Sequence, residues 1–179
     1  MGDYLAAVMT EPMDTGDAAL HERVDALITA VGLTDAASIT DVLTAVSHER
    51  GRALELEPMP EEMESGDVFG LCLPYEDRDV ILFRTGAGSE HELHSTLHEC
   101  GHLLFGHVAE TGQPATNPLS RLLPDLDADL IAKVLARSAY EDEQEREAEL
   151  FAMKVRAVIA AAQRRRGDAI LRRFDDALG

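Results

Sequence analysis

The sequence predicts an α+β fold: one mainly helical domain with a small antiparallel sheet of about three strands. Three observations predict it. Apolar residues recur at helical spacing near both ends of the chain, while apolar and charged residues alternate in its middle part, as in a half-buried strand. The length of 179 residues is enough for one hydrophobic core and too short to indicate two.

Two helices are predicted in residues 17–51, after a flexible N-terminal segment at residues 1–16. The first begins at Asp17 and stops at Gly32, and the second follows Ser38 and closes at Gly51. Their apolar residues share the three- and four-residue spacing of one helix face: Leu20, Val24, Leu27, Ile28 and Val31, then Ile39, Val42, Leu43 and Val46.

Residues 52–110 are predicted to hold the sheet and one helix. Residues 52–57 alternate apolar with charged and end at Pro58, and residues 70–73 and 80–83 are two further strand candidates. The turn-forming residues between the last two predict an antiparallel hairpin that leads directly into the helix. Ser89, with Glu92 three residues later, predicts a capping box at the start of that helix.

The remaining chain is predicted to be an insertion and two helices. The composition and spacing of residues 111–140 predict a loop followed by a helical stretch. Residues 141–179 are expected to form a long helix that ends before Gly167 and a last helix that carries Ile170, Leu171 and Phe174.

The composition excludes several classes of function. A formal net charge of −18 argues against direct binding to a nucleic acid backbone, which requires a positive surface. The apolar residues form no run long enough to span a membrane, and residues 1–17 do not resemble a signal peptide, so we expect a cytoplasmic protein. Cys72 and Cys100 cannot make a disulfide framework, and we expect Cys100 to be a buried core residue.

The predicted helix after the hairpin contains the motif His98-Glu99-Cys100-Gly101-His102. Residues four apart lie on one face of a helix, so His98 and His102 can bind the same metal ion. Glu99 lies at the edge of that face, where its carboxylate can take a proton from a metal-bound water without being a ligand. This spacing indicates zinc hydrolase chemistry.

Two other histidines of this stretch offer alternatives. His94 and His98 are also four residues apart and form a rival ligand pair, but Ser95 stands where the adjacent base would be. His107 lies five residues after His102, not at the six-residue spacing of zinc peptidases with three histidine ligands. We interpret it as a helix-end residue with structural contacts.

A third ligand is expected from the long helix, because two His and one Glu form a known catalytic zinc set. Glu145 is in phase with Ala148 and Ala152 on the inward face, so it is the predicted ligand. Glu147, about 200° further around the helix, should face solvent. Glu149 is placed to accept a hydrogen bond from a ligand histidine and fix its tautomer.

These residues predict peptide hydrolysis with Glu99 as the general base. Zinc makes a bound water acidic enough to ionise near neutral pH, and Glu99 would take that proton and later deliver it to the leaving amine. An additional donor is needed for the charge of the tetrahedral intermediate. Tyr140 is a candidate for that role from its position before the ligand helix.

With the motifs at residues 83–84, 98–107 and 145–152, the chain resembles the ImmA/IrrE family of zinc metallopeptidases over roughly residues 52–159. The resemblance implies a gluzincin-like α+β core, zinc as cofactor, and Glu145, the first Glu of the Glu-x-Glu-Ala stretch, as third ligand. It also implies a role in transcription regulation, through cleavage or inactivation of a separate helix-turn-helix repressor. Glu149 departs from the family pattern, in which Asn or Asp is common.

Two other functions stay open from the sequence. The protein could be a non-catalytic metal-binding module that sequesters a partner protein, because a narrow-specificity protein can act without turnover. It could also be a toxin-like effector of a two-gene system, which rests on analogy with the family alone. In each case the expected partner is a protein, with neither nucleic acid nor membrane bound directly.

Overall fold

The computed structural model describes residues 15–60, 69–75, 77–86, 88–107 and 142–178. These form an α+β arrangement of four helices and one three-stranded sheet, which confirms the predicted fold class. In chain order they are α1 (Thr15–Ala30), α2 (Ile39–Arg50), β1 (Ala53–Pro58), β2 (Gly70–Pro74), β3 (Arg78–Phe83), α3 (Ser89–Phe105) and α4 (Asp142–Leu178). The predicted segments at residues 1–14 and 111–140 lie outside the described residues.

Helix α2 has the predicted limits, whereas α1 begins at Thr15, two residues before the predicted start at Asp17, so the end of the segment predicted to be flexible is helical. Gly32 adopts a positive φ of 74° just after α1. The hydroxyl of Ser38 accepts from the Asp41 backbone N–H at 3.3 Å, and the Asp41 carboxylate accepts from the Ser38 N–H at 3.0 Å. This capping box satisfies two backbone donors at the start of α2. Gly51 ends α2 in the left-handed region, with φ 67°.

The sheet is mixed, not antiparallel as predicted. Its strand order is β1-β3-β2; β2 and β3 form the expected antiparallel hairpin, but β1 pairs with β3 in parallel. The prediction was wrong for β1 because alternation reveals which face of a strand is buried and not its direction. The connection between β2 and β3, residues 75–77, is short enough for an antiparallel hairpin, whereas the longer connection at residues 59–69 does not require β1 to pair with the next strand in the sequence.

The core lies between the sheet, α3 and α4. Cys72 and Ile81 of the sheet and Leu97 and Cys100 of α3 are fully or almost fully buried, together with Phe151 of α4. The same cluster includes the apolar faces of α1 and α2. The motif helix α3 is therefore packed on the sheet along one side and on α4 along another, which fixes its rotation about its own axis.

Helix α3 begins differently from the prediction. Gly88 is its N-cap residue and offers no side-chain cap, and Ser89 is already the first helical residue. The predicted Ser89–Glu92 capping box is therefore wrong. The Glu92 carboxylate instead accepts a hydrogen bond from the Gly86 N–H at 3.0 Å. A glutamate near the helix start still satisfies a backbone donor, but one in the preceding turn.

Helix α4 continues through Gly167 to Leu178, so the predicted separate last helix does not exist. A glycine inside a helix costs only about 1 kcal/mol relative to alanine. The arginines at 164–166 and Ala169 favour the helix on both sides. Ile170, Leu171 and Phe174 on this extension are each more than half exposed.

Helices α3 and α4 approach each other closely at Gly101. A methyl group added there would lie 3.0 Å from the Ala148 Cα and 3.3 Å from the Ala148 carbonyl oxygen. Both neighbours are backbone atoms that cannot rotate away. Only glycine therefore allows the two helices to pack at this distance.

We expect Gly101→Ala to lower the free energy of unfolding by about 1–3 kcal/mol, because overpacking pushes the helices apart. The matched control is Gly167→Ala, where an added methyl group meets nothing within 4 Å. That variant should lose no stability and gain up to about 1 kcal/mol from helix propensity. Urea unfolding measures both. Equal stabilisation by the two substitutions would contradict the close contact.

Candidate metal centre

Helices α3 and α4 bring three donor groups together at one point. The Nε2 atoms of His98 and His102 lie 3.0 Å apart. The Glu145 carboxylate places Oε2 3.4 Å from His98 Nε2 and Oε1 3.5 Å from His102 Nε2. The structure thus brings together all three residues that the sequence predicts as metal ligands, and they form a group that could hold a metal ion.

The donor set fits a zinc ion. With Zn–N and Zn–O bonds of about 2.0–2.2 Å, the donors of a tetrahedral site lie about 3.3–3.5 Å apart. The two distances to Glu145 fall in this range but involve different carboxylate oxygens, and the His98–His102 distance is slightly shorter; with one ligand atom from each residue, the three atoms lie within 4.8 Å of one another. Two imidazoles and one carboxylate also suit zinc chemically. The Glu145 side chain is 48% exposed, so the site opens to solvent on that side.

Glu99 lies next to the ligand pair and is itself largely buried. Its side chain packs against Gly70, the first residue of β2: a methyl group at Gly70 would lie 2.9 Å from Glu99 Cγ and 3.2 Å from Oε1. Among the described residues, the candidate ligand group does not include Glu99. Its position therefore agrees with a base that is not a ligand. That Gly70 leaves room for this carboxylate could not be predicted from the sequence, because the two residues are far apart along the chain.

Glu149 lies beside the outer nitrogen of His98, as expected, but its hydrogen bond goes to His94. Its Oε2 is 3.6 Å from His98 Nδ1 and 3.0 Å from His94 Nε2. The first distance is too long for a hydrogen bond. His94 is thus engaged with Glu149, and the three-residue donor group found among the described residues contains His98 and His102 but not His94.

Glu147 does not face solvent, so that prediction was wrong. Its side chain is only 12% exposed, with Oε2 2.9 Å from His107 Nε2 and Oε1 2.8 Å from Arg23 of α1. The helical phase places Glu147 away from Glu145, as calculated, but helix α1 and the end of α3 cover that side. Helical phase identifies the side of the helix on which a residue lies, but not which other part of the chain packs against that side.

His107 makes structural contacts at the end of α3, as predicted. Its backbone N–H donates to the His102 carbonyl oxygen at 3.0 Å, and its ring stacks on Phe105 with a centroid distance of 5.4 Å. Its side chain also reaches His102, with the two Nδ1 atoms 3.0 Å apart. Burial lowers the pKa of His107, although the neighbouring Glu147 acts in the opposite direction.

Cys100 is a core residue of α3. Cys100 is fully buried, and this burial raises the pKa of its thiol far above the usual range. It therefore stays a neutral core residue, as predicted.

Tyr140 lies outside the described residues. Within the described segments, no helix has both the length and the apolar character needed to cross a bilayer.

No family model, curated protein or solved structure matches this chain.

The candidate site predicts that the purified protein binds about one zinc ion. Loss of a residue that hydrogen-bonds to a metal ligand typically lowers metal affinity by roughly 10–100-fold. Glu145→Ala removes one of the three ligands themselves, so we expect a larger fall in zinc affinity. Glu143→Ala is the matched control, because Glu143 lies on the same helix turn and pairs with Arg23 instead of the histidines. Chelator competition measures both. Zinc binding by Glu145→Ala as tight as that of the unaltered protein would contradict the ligand set.

Proposed function

We propose that this protein is a zinc-dependent endopeptidase that cleaves a specific regulatory protein. The observation that supports it is the convergence of His98, His102 and Glu145 within 3.5 Å of one another, with the buried Glu99 next to His98 on the same helix. Two imidazoles, one ligating carboxylate and one adjacent base that is not a ligand form the minimum set for hydrolysis of an amide by water. The resemblance to ImmA/IrrE metallopeptidases supports the same reaction.

Each residue has a separate task in this proposal. His98, His102 and Glu145 would hold the ion, which when bound supplies a Lewis acid and lowers the pKa of water. Glu99 takes the proton from the attacking water and carries it to the nitrogen of the leaving amine. Packing against Gly70 limits the movement of the Glu99 side chain, so the carboxylate stays in place for both transfers.

The sheet offers a way to hold a peptide substrate. Within the described residues β2 is an edge strand, and it begins at Gly70, next to Glu99. An extended peptide can add to such an edge through main-chain hydrogen bonds. A peptide paired with β2 would pass close to the general base. This arrangement favours a protein substrate over a small molecule.

The charge of the protein and the resemblance narrow the substrate further. At −18, the chain is unsuited to bind a nucleic acid backbone directly. A regulatory effect on transcription would therefore act through a protein. We propose a separate helix-turn-helix repressor as the substrate, in the cytoplasm, in line with the resemblance.

The catalytic role of Glu99 is tested by Glu99→Gln, which keeps the shape of the side chain but cannot accept the proton. We expect zinc binding to be retained and cleavage to fall by about 10²–10⁴-fold, the usual contribution of a general base. The control is Glu90→Gln, an exposed glutamate at the start of the same helix. Mass spectrometry of new N-termini, in the protein encoded by the neighbouring gene and in a proteome-derived peptide mixture, measures cleavage.

Cleavage that survives in Glu99→Gln would contradict the mechanism. A wild-type protein that binds zinc and the neighbouring gene product but cleaves neither probe would instead support the sequestering module. In that case His98→Ala should leave partner binding intact.

A further inference from the structure

A chain of hydrogen bonds extends from the ligand His102 to helix α1. His102 Nδ1 is 3.0 Å from His107 Nδ1, His107 Nε2 is 2.9 Å from Glu147 Oε2, and Glu147 Oε1 is 2.8 Å from Arg23. The chain links three helices, α3, α4 and α1, through four side chains. It lies behind the candidate metal centre, on the side away from Glu145.

The positions of the protons in this chain follow from one requirement. For His102 to offer a lone pair at Nε2, its proton must be on Nδ1, so that this N–H donates to His107 Nδ1. His107 must then carry its own proton on Nε2, where it donates to Glu147. The Glu147 carboxylate accepts on one oxygen and faces the Arg23 guanidinium with the other. Every donor in the chain therefore meets an acceptor.

The two ligand histidines differ in how firmly they are held. The side chains of His102 and His107 are 2% and 5% exposed, and Glu147 is nearly buried. In the described part of the chain, the group recorded near His98 Nδ1 is the Glu149 carboxylate, at 3.6 Å, which is half exposed and bonded to His94. The orientation of His102 is thus fixed by buried contacts, whereas that of His98 is not.

We propose that His107 and Glu147 are positioning residues that fix the tautomer and ring orientation of His102, and that Arg23 anchors them to α1. The proposal rests on the metal centre proposed above. Partners of this kind raise the basicity of a ligand histidine, and their loss typically costs about 10–100-fold in metal affinity. A consequence is that helix α1, which supplies no ligand, contributes to the affinity of the site.

A purely structural role for His107 would rest on its ring stacking with Phe105 and its place at the end of α3. His107→Phe separates the two roles, because phenylalanine keeps an aromatic ring but has no hydrogen-bonding nitrogen. His107→Asn does the reverse. It loses the ring but keeps a side-chain oxygen near the position of Nδ1, which can accept from His102.

The first experiment measures zinc affinity by chelator competition. We expect His107→Phe and Glu147→Ala each to bind zinc about 10–100-fold more weakly than the unaltered protein, with His107→Asn in between. Glu143→Ala should bind as the unaltered protein does, since Glu143 also pairs with Arg23 but does not contact His107. The absorption bands of the cobalt-substituted protein should shift in the first two variants and not in the control.

The second experiment needs no variant. Long-range ¹H–¹⁵N correlation spectra of the zinc-loaded protein report which imidazole nitrogens carry protons. We expect His102 protonated on Nδ1 and His107 on Nε2. If His107→Phe fails to fold, the zinc affinity of Glu147→Ala and the protonation sites in these spectra still test whether His107 and Glu147 fix the tautomer of His102.

The outcomes separate this inference from the proposed function. A wild-type protein that binds no zinc would refute the metal centre and the inference with it. A wild-type protein that binds about one zinc, with all the variants binding equally tightly or with His107 protonated on Nδ1, would overturn the inference alone.

Discussion

The contact between helices α3 and α4 at Gly101 and Ala148 is the constraint on which the site depends. The two histidines of the motif lie on α3 and the third donor on α4, so the distance between helix axes sets the distance between donors. A methyl group at Gly101 would already meet the Ala148 backbone at 3.0 Å. The buried Phe151, one turn after Ala148, adds apolar contact that holds the helices together.

The sequence was sufficient for features that depend on helical period. The spacing of His98 and His102 and the phase of Glu145 relative to Ala148 are local quantities, and the structure brings these donors together as predicted. Features that depend on which segment of the chain packs against a residue could not be predicted from the sequence. The direction of β1, the burial of Glu147 and its contact with Arg23 depend on parts of the chain that are far apart in sequence. Gly167 shows that a weak helix breaker does not end a well-supported helix.

The electrostatics of the region favour a bound cation. Glu145 and Glu149 project from α4 toward histidines of α3, and Glu147 projects toward His107, just after the end of α3. Arg23 balances Glu147, and His94 bonds to Glu149, whereas the ion-pair contacts of Glu145 among the described residues are with the two ligand imidazoles. A divalent ion at that point would satisfy the Glu145 carboxylate and two nitrogen lone pairs together. In a protein with a net charge of −18, the surrounding field also attracts cations.

The central claim, that two imidazoles and the Glu145 carboxylate share one ion, is tested most directly by a crystal structure of the zinc-loaded protein with anomalous data at the zinc edge. The account predicts a single strong peak about 2.0–2.2 Å from His98 Nε2, His102 Nε2 and a Glu145 carboxylate oxygen. A peak at another position, or a Glu145 side chain turned away from a zinc held by the histidines, would contradict it.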